Sequence, residues 1–210
     1  IILQKTYERG ELFTLLYHSE LVERCSETLS RLVCEARLLQ PRVWVARLRE
    51  ISRWWREKAA FQVEVEEHGA ELQLAFSCTG RATILARGLE ESASGRAWAA
   101  GYRLVEERTL RVPASPRPFI GLPAGAPAGT ITFLKEQGYL LEIGERAAQC
   151  SLVLDPRTLS RLDTQVKLVE FIEQAPGPLV RYGRWPDGAR SALCISGDMD
   201  ALSLVDYASR

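Results

Sequence analysis

The sequence is poor in the residues that build metal centres, disulfide frameworks and membrane spans. It has two histidines, His18 and His68, in 210 residues. A metal site made wholly by this chain is therefore hard to assemble from imidazoles. Its five cysteines, Cys25, Cys34, Cys78, Cys150 and Cys194, are odd in number and widely spaced, with no CxxC. That argues against a disulfide framework and predicts free thiols in a reducing compartment, which favours a cytoplasmic location. No apolar run approaches the ~18 residues of a membrane span. The opening IILQKTYERG has no basic flank, apolar stretch and small-residue cleavage site, and residue 1 is Ile rather than Met. An excised piece or a mature fragment is the expectation. Charge of one sign is missing too: 27 basic and 27 acidic residues give a formal net charge of zero. Nothing in that balance favours a nucleic-acid or membrane-surface partner.

What is present is the composition of a soluble globular protein, 46% hydrophobic and 26% charged. The length suffices for one large domain or two small ones, and sets no oligomeric state. Residues 11–17, ELFTLLY, read as a buried strand ending at His18. Ser19 and Glu20 suit a helix N-cap and first turn, and Leu21, Val22, Cys25, Leu29, Leu32, Val33 and Ala36 continue at helical spacing. Pro41 suits the first turn of a second helix with a Trp44, Leu48, Ile51, Trp55 stripe and Arg47, Arg49, Arg53 and Arg56 on other faces.

The period then changes. FQVEVEE, ELQLAFS, RATILAR and AAGYRLVEERTLRV make residues 61–112 an antiparallel β-rich segment. Residues 113–129, rich in Pro, Gly and Ala, read as a linker or long loop. Residues 130–183 read as a small α/β unit. In it a short helix ends at Gly138, and YLLEI and CSLVLD are strands. Asp155-Pro156 opens a helix running through Leu159, Leu162, Val166, Val169 and Phe171-Ile172, and GPLVRYGRW is extended.

Residues 184–210 carry the chemistry. SALCIS is a short apolar strand, Gly197 permits a tight backbone at its end, and Asp198 and Asp200 follow before a helix with Leu202, Leu204, Val205 and Tyr207. Carboxylates just beyond a buried strand lie where α/β folds bind ligands. One can hold a cation while the other handles a proton. Equally, Asp200 can cap the helix while Asp198 is a solvated turn residue. An Asp-x-Asp of this kind also serves haloacid-dehalogenase-type phosphatases and sugar-nucleotide glycosyltransferases. A non-enzymatic carbohydrate-binding or interaction module centred on residues 61–112 is a further alternative.

The text RWPDGARSALCISGDMDALSLVDYASR resembles the entry segment of the polysaccharide deacetylase, or NodB-homology, family. The resemblance implies Asp198 as the catalytic base that activates a metal-bound water. It implies Asp200 as a ligand of a divalent metal, usually zinc. Ser-Gly-Asp-Met-Asp stands where Thr-Phe-Asp-Asp is commoner. GELFTLLYHSELVERC looks like the family's late Leu-x-x-His-Pro-Glu strand, with Ser19 replacing Pro and His18 as the group that protonates the leaving amine. The family's His-x-x-x-His segment is missing, and His68 fits poorly as a substitute. The late motif also precedes the early one.

The expected fold is therefore α/β. Incomplete or circularly permuted deacetylase-type (β/α) barrel pieces at 1–60 and 184–210 flank the β-rich middle and the small α/β unit. The expected substrate is a carbohydrate, with the remaining metal ligands outside this chain. The isolated chain is expected to bind metal weakly and to show little or no deacetylase activity.

Overall fold

The computed structural model describes residues 2–18, 22–89 and 95–198. The first elements are α1 (Ile2–Glu8), β1 (Leu12–His18), α2 (Val22–Leu38), β2 (Val43–Val45), α3 (Leu48–Ala59), β3 (Gln62–His68), β4 (Glu71–Ser77), β5 (Ile84–Arg87), β6 (Tyr102–Val105) and β7 (Thr109–Pro113). They are followed by β8 (Arg117–Leu122), α4 (Ala128–Gln137), β9 (Leu141–Ile143), a 3-10 turn (Glu145–Gln149), β10 (Cys150–Val153), α5 (Pro156–Arg161), α6 (Gln165–Gln174), β11 (Leu179–Tyr182) and β12 (Ser191–Asp198). The chain is thus mixed α/β. Among the described residues its strands form four three-stranded sheets, none closed into a barrel. Two compact units result. Unit 1 comprises residues 1–55 and 189–210; unit 2 comprises residues 56–188 and interrupts unit 1 in sequence.

Unit 1 is built on a parallel sheet of order β1-β12-β2. Parallel strands require crossover connections and covered faces. One face is covered: Phe13, Val43, Leu193 and Ile195 pack with Leu3 and Tyr7 of α1 and with Leu32, Ala36 and Leu39 from α2 and its end. Tyr7 donates its hydroxyl to the Pro41 carbonyl at 2.9 Å, and the Arg190 guanidinium donates to the Glu8 carbonyl at 2.8 Å. These bonds tie α1 to the chain entering each of the two other strands.

The helix expected from Pro41 starts later. Val43, Trp44 and Val45 pair with Ser191, Ala192 and Leu193 as β2, so Trp44 is a buried strand residue rather than part of a helical stripe. A Val-Trp-Val run fits a pleated surface better than a helix. The Glu50 carboxylate accepts the Arg47 amide at 2.8 Å and sets the start of α3 at Leu48.

Unit 2 contains antiparallel sheets β3-β4-β7 and β11-β5-β6 and the parallel sheet β10-β8-β9. Residues 62–113 contain the strands β3 to β7, paired antiparallel. However, β4 and β5 do not form a hairpin, because they belong to different sheets. Between them the Arg108 guanidinium donates to the carbonyls of Thr79 at 3.1 Å and Ala82 at 3.3 Å.

The linker reading of 113–129 fails for residues 117–122. These form β8, buried at every position and central in its sheet. Proline and glycine masked the strand, yet Gly121 is there for packing: a Cβ on it would lie 2.1 Å from the Ala147 carbonyl oxygen. The long helix expected after Asp155 is two helices. Asp155 caps α5 by accepting the Thr158 amide at 2.6 Å, and Thr164 caps α6 by accepting that of Lys167 at 3.3 Å. Ser19 and the helix expected after Asp200 lie outside the described residues.

A polar hub joins the elements of unit 2. One Glu173 oxygen accepts from the hydroxyls of Tyr102 and Tyr139 and, at 2.7 Å, from Arg181. Arg87 donates to the carbonyls of Ile172, Glu173 and Ala175 at the end of α6. Burial pushes the Tyr102 phenol up to about 12, so it stays a neutral donor. The hub holds α6 to β5, β6 and β11 through Arg87, Tyr102 and Arg181.

Two outcomes follow. Residues 56–188, with two apolar clusters of their own, should fold when expressed alone and unfold in urea with one cooperative transition. A broad, featureless unfolding curve would count against that. Gly138 closes α4 at φ 95°, and a Cβ there would lie 2.1 Å from the Tyr182 carbonyl oxygen. Gly138→Ala should therefore lower stability by about 2 kcal/mol, read from the denaturation midpoint.

Candidate functional site

The first and last described strands set the candidate site. β1 and β12 pair in parallel from Leu12↔Ala192 without a shift to Tyr17↔Gly197 and His18↔Asp198. Positions 18 and 198 are thus register partners at the carboxyl ends of neighbouring parallel strands. β2 runs the same way on the other side of β12. All three carboxyl ends therefore lie at one end of the sheet, the end that carries ligand sites in parallel α/β folds.

Strand alternation assigns a face. Positions 13, 193 and 195 belong to the face packed by α1 and α2. Positions 12, 14 and 16, with 192, 194 and 196, belong to the opposite one. On that face Leu16 is 58% exposed, and Thr14 is exposed as well. Positions 18 and 198 thus share a strand end, while on the face opposite α1 and α2 the β1 side is exposed at Thr14 and Leu16 and the β12 side is buried at Ala192 and Cys194. Asp200, the expected metal ligand, lies outside the described residues.

The neighbouring thiol is no nucleophile. Cys194 is buried in β12; burial pushes its thiol up, and the Leu48 backbone amide only partly opposes this. All five cysteines are unpaired.

The described residues do not fit a complete zinc centre. Among them no group of three or more His, Cys, Asp and Glu side chains is placed to hold a metal ion. His68, in unit 2, sits at the end of β3 with its Nε2 3.4 Å from a Glu66 oxygen, and both side chains are more than half exposed. It has the partner of a surface strand residue, consistent with its poor fit as a missing ligand.

Unit 2 holds the most perturbed amine. Lys58 is 7% exposed and donates to the Glu136 carbonyl at 2.7 Å. Burial holds its pKa well below the ordinary lysine range; Arg181 and Arg184 add to this, and Glu136 opposes it. No spacing in the sequence announced this lysine, because its environment is assembled from α3, α4 and β11 and the residues after it.

A lysine whose folded pKa is depressed binds fewer protons folded than unfolded, so stability rises with pH between the folded and unfolded values. Its cost is fully present below the folded pKa. Lys58→Met should raise the melting temperature at neutral pH and flatten its rise toward alkaline pH. An unchanged slope would show that another group sets it. No protein-family model, curated protein or solved structure matches the chain.

Proposed function

We propose that unit 1 is part of the catalytic domain of a metal-dependent hydrolase that removes N-acetyl groups from a carbohydrate. The observation that carries this reading is the His18↔Asp198 register across two parallel strands. The base and acid of an amide hydrolysis must reach the same scissile bond, one for the attacking water and one for the leaving nitrogen. Adjacent strand ends in register supply that proximity. A parallel sheet with α1 and α2 packed on one face also suits a segment of a (β/α) barrel, whose strand ends carry the chemistry.

In this reading Asp198 takes the proton from the attacking water. His18 delivers a proton to the amine as the tetrahedral intermediate collapses. A histidine suits that step because its ordinary pKa lies near neutrality. Asp200 is the one metal ligand assigned to this chain, and the remaining ligands and strands lie outside these 210 residues. The chain alone is accordingly expected to bind zinc weakly and to release little acetate.

The test is acetate release from an N-acetylated glycan by a protein that contains this chain together with the missing strands. Asp198→Asn and His18→Asn should each lower kcat by about 100-fold or more. His18→Asn should also remove the alkaline limb of the pH profile. Undiminished turnover in Asp198→Asn would sink the assignment.

A further inference from the structure

The connection from β2 into α3 is unusual in charge. Residues 42–53 contain four arginines, Arg42, Arg47, Arg49 and Arg53, and one acid, Glu50. The four arginines are exposed. The Glu50 carboxylate is engaged by the Arg47 amide. Elsewhere among the described residues basic side chains meet carboxylates, as in Arg31–Glu35, Arg81–Asp187 and Lys167–Asp163. Apolar surface is interleaved with these arginines: Val45 is 46% exposed and Leu48 50%.

The position of this surface matters as much as its charge. β2 is parallel to β12, and the ladder continues past it through the Ala46 amide on the Leu193 carbonyl at 3.0 Å. Arg47 therefore follows the carboxyl end of β2, at the sheet end that holds positions 18 and 198. Along β12 it is level with residue 195, about 10 Å short of Asp198 at ~3.3 Å per residue. Arg49 and Arg53 then lie four residues apart, on one face of α3.

We propose that Arg47, Arg49 and Arg53 bind the anionic groups of a polysaccharide, so that the substrate of the strand-end site is an acidic rather than a neutral glycan. This rests on the deacetylase reading of positions 18 and 198. Charge complementarity selects the occupant: guanidinium forks match carboxylate, phosphate and sulfate oxygens. The exposed Val45 and Leu48 offer apolar surface to the faces of sugar rings. A polymer held here runs the short distance to the carboxyl end of β12, so the arginines bind sugars flanking the one that reacts.

The experiment measures binding of the full chain to a polyuronate, to a heparin fragment and to neutral dextran, across a series of salt concentrations. Tight, salt-sensitive binding to the acidic polymers and none to dextran is expected. Preference for the polyuronate assigns carboxylate, and preference for heparin assigns sulfate. An Arg47→Gln/Arg49→Gln/Arg53→Gln variant should lose at least about 10-fold in affinity with an unchanged melting temperature, since all three side chains are exposed. Equal binding to dextran, undiminished affinity in the variant, or equal affinity for a DNA duplex would each overturn the proposal. Asp198→Asn should leave polymer affinity unchanged. Loss of the deacetylase reading, seen as absent acetate release, is thereby separated from loss of the arginine surface, seen as absent salt-sensitive binding.

Discussion

Unit 1 depends on one pairing, that of β1 with β12. β12 is the central strand, and among the described residues β1 and β2 each pair with it alone. The pairing is parallel and unshifted from Leu12↔Ala192 to His18↔Asp198. A slip of one residue would move Phe13, Leu193 and Ile195 off the face packed by α1 and α2. The same slip would move positions 18 and 198 out of alignment. Apolar packing and the candidate chemistry are thus fixed by a single register, and the Leu193 side chain at the centre of the sheet, wholly buried, pins it.

Unit 2 is held differently. Beside its two apolar clusters a carboxylate, Glu173, gathers donors from Tyr102 of β6, Arg181 of β11 and Tyr139, two residues beyond α4. Leaving any one of those buried groups unpaired costs more than the bond itself contributes. The hub therefore selects one arrangement of α6 over β5, β6 and β11. Within it the Arg181 Nε is buried without a hydrogen-bond partner among the described residues.

Much of this was legible in the sequence where local rules act. β1, β3, β4 and β12 show their apolar patterns. Gly138 and Asp155-Pro156 mark a helix end and a helix start, and the structure places a left-handed Gly138 and a capping Asp155 there. Errors arose where tertiary contacts outvoted composition. β8 hides behind Pro118 and Gly121, although burial in a parallel sheet makes them usable. Trp44 looked helical because Leu48 and Ile51 follow it at helical spacing, yet β12 takes it into a sheet. At the candidate site, sequence supplied the identities of His18 and Asp198, and only the pairing supplied their common register. The arginines at 47, 49 and 53 were legible too, but a net charge of zero did not show them as a basic surface, since acids elsewhere in the chain balance them.

The insertion of unit 2 between α3 and β12 has a kinetic consequence. β1 and β12 meet only after the chain between them has been gathered in, and an unstructured loop of ~180 residues makes that encounter slow. The two ends of unit 2 emerge side by side, because Arg184 lies close enough to Lys58 to influence its charge. Once unit 2 has folded, the gap between α3 and β12 shrinks to the span between those ends. Loop-closure entropy therefore favours forming the inserted unit before the parallel sheet that carries the candidate site.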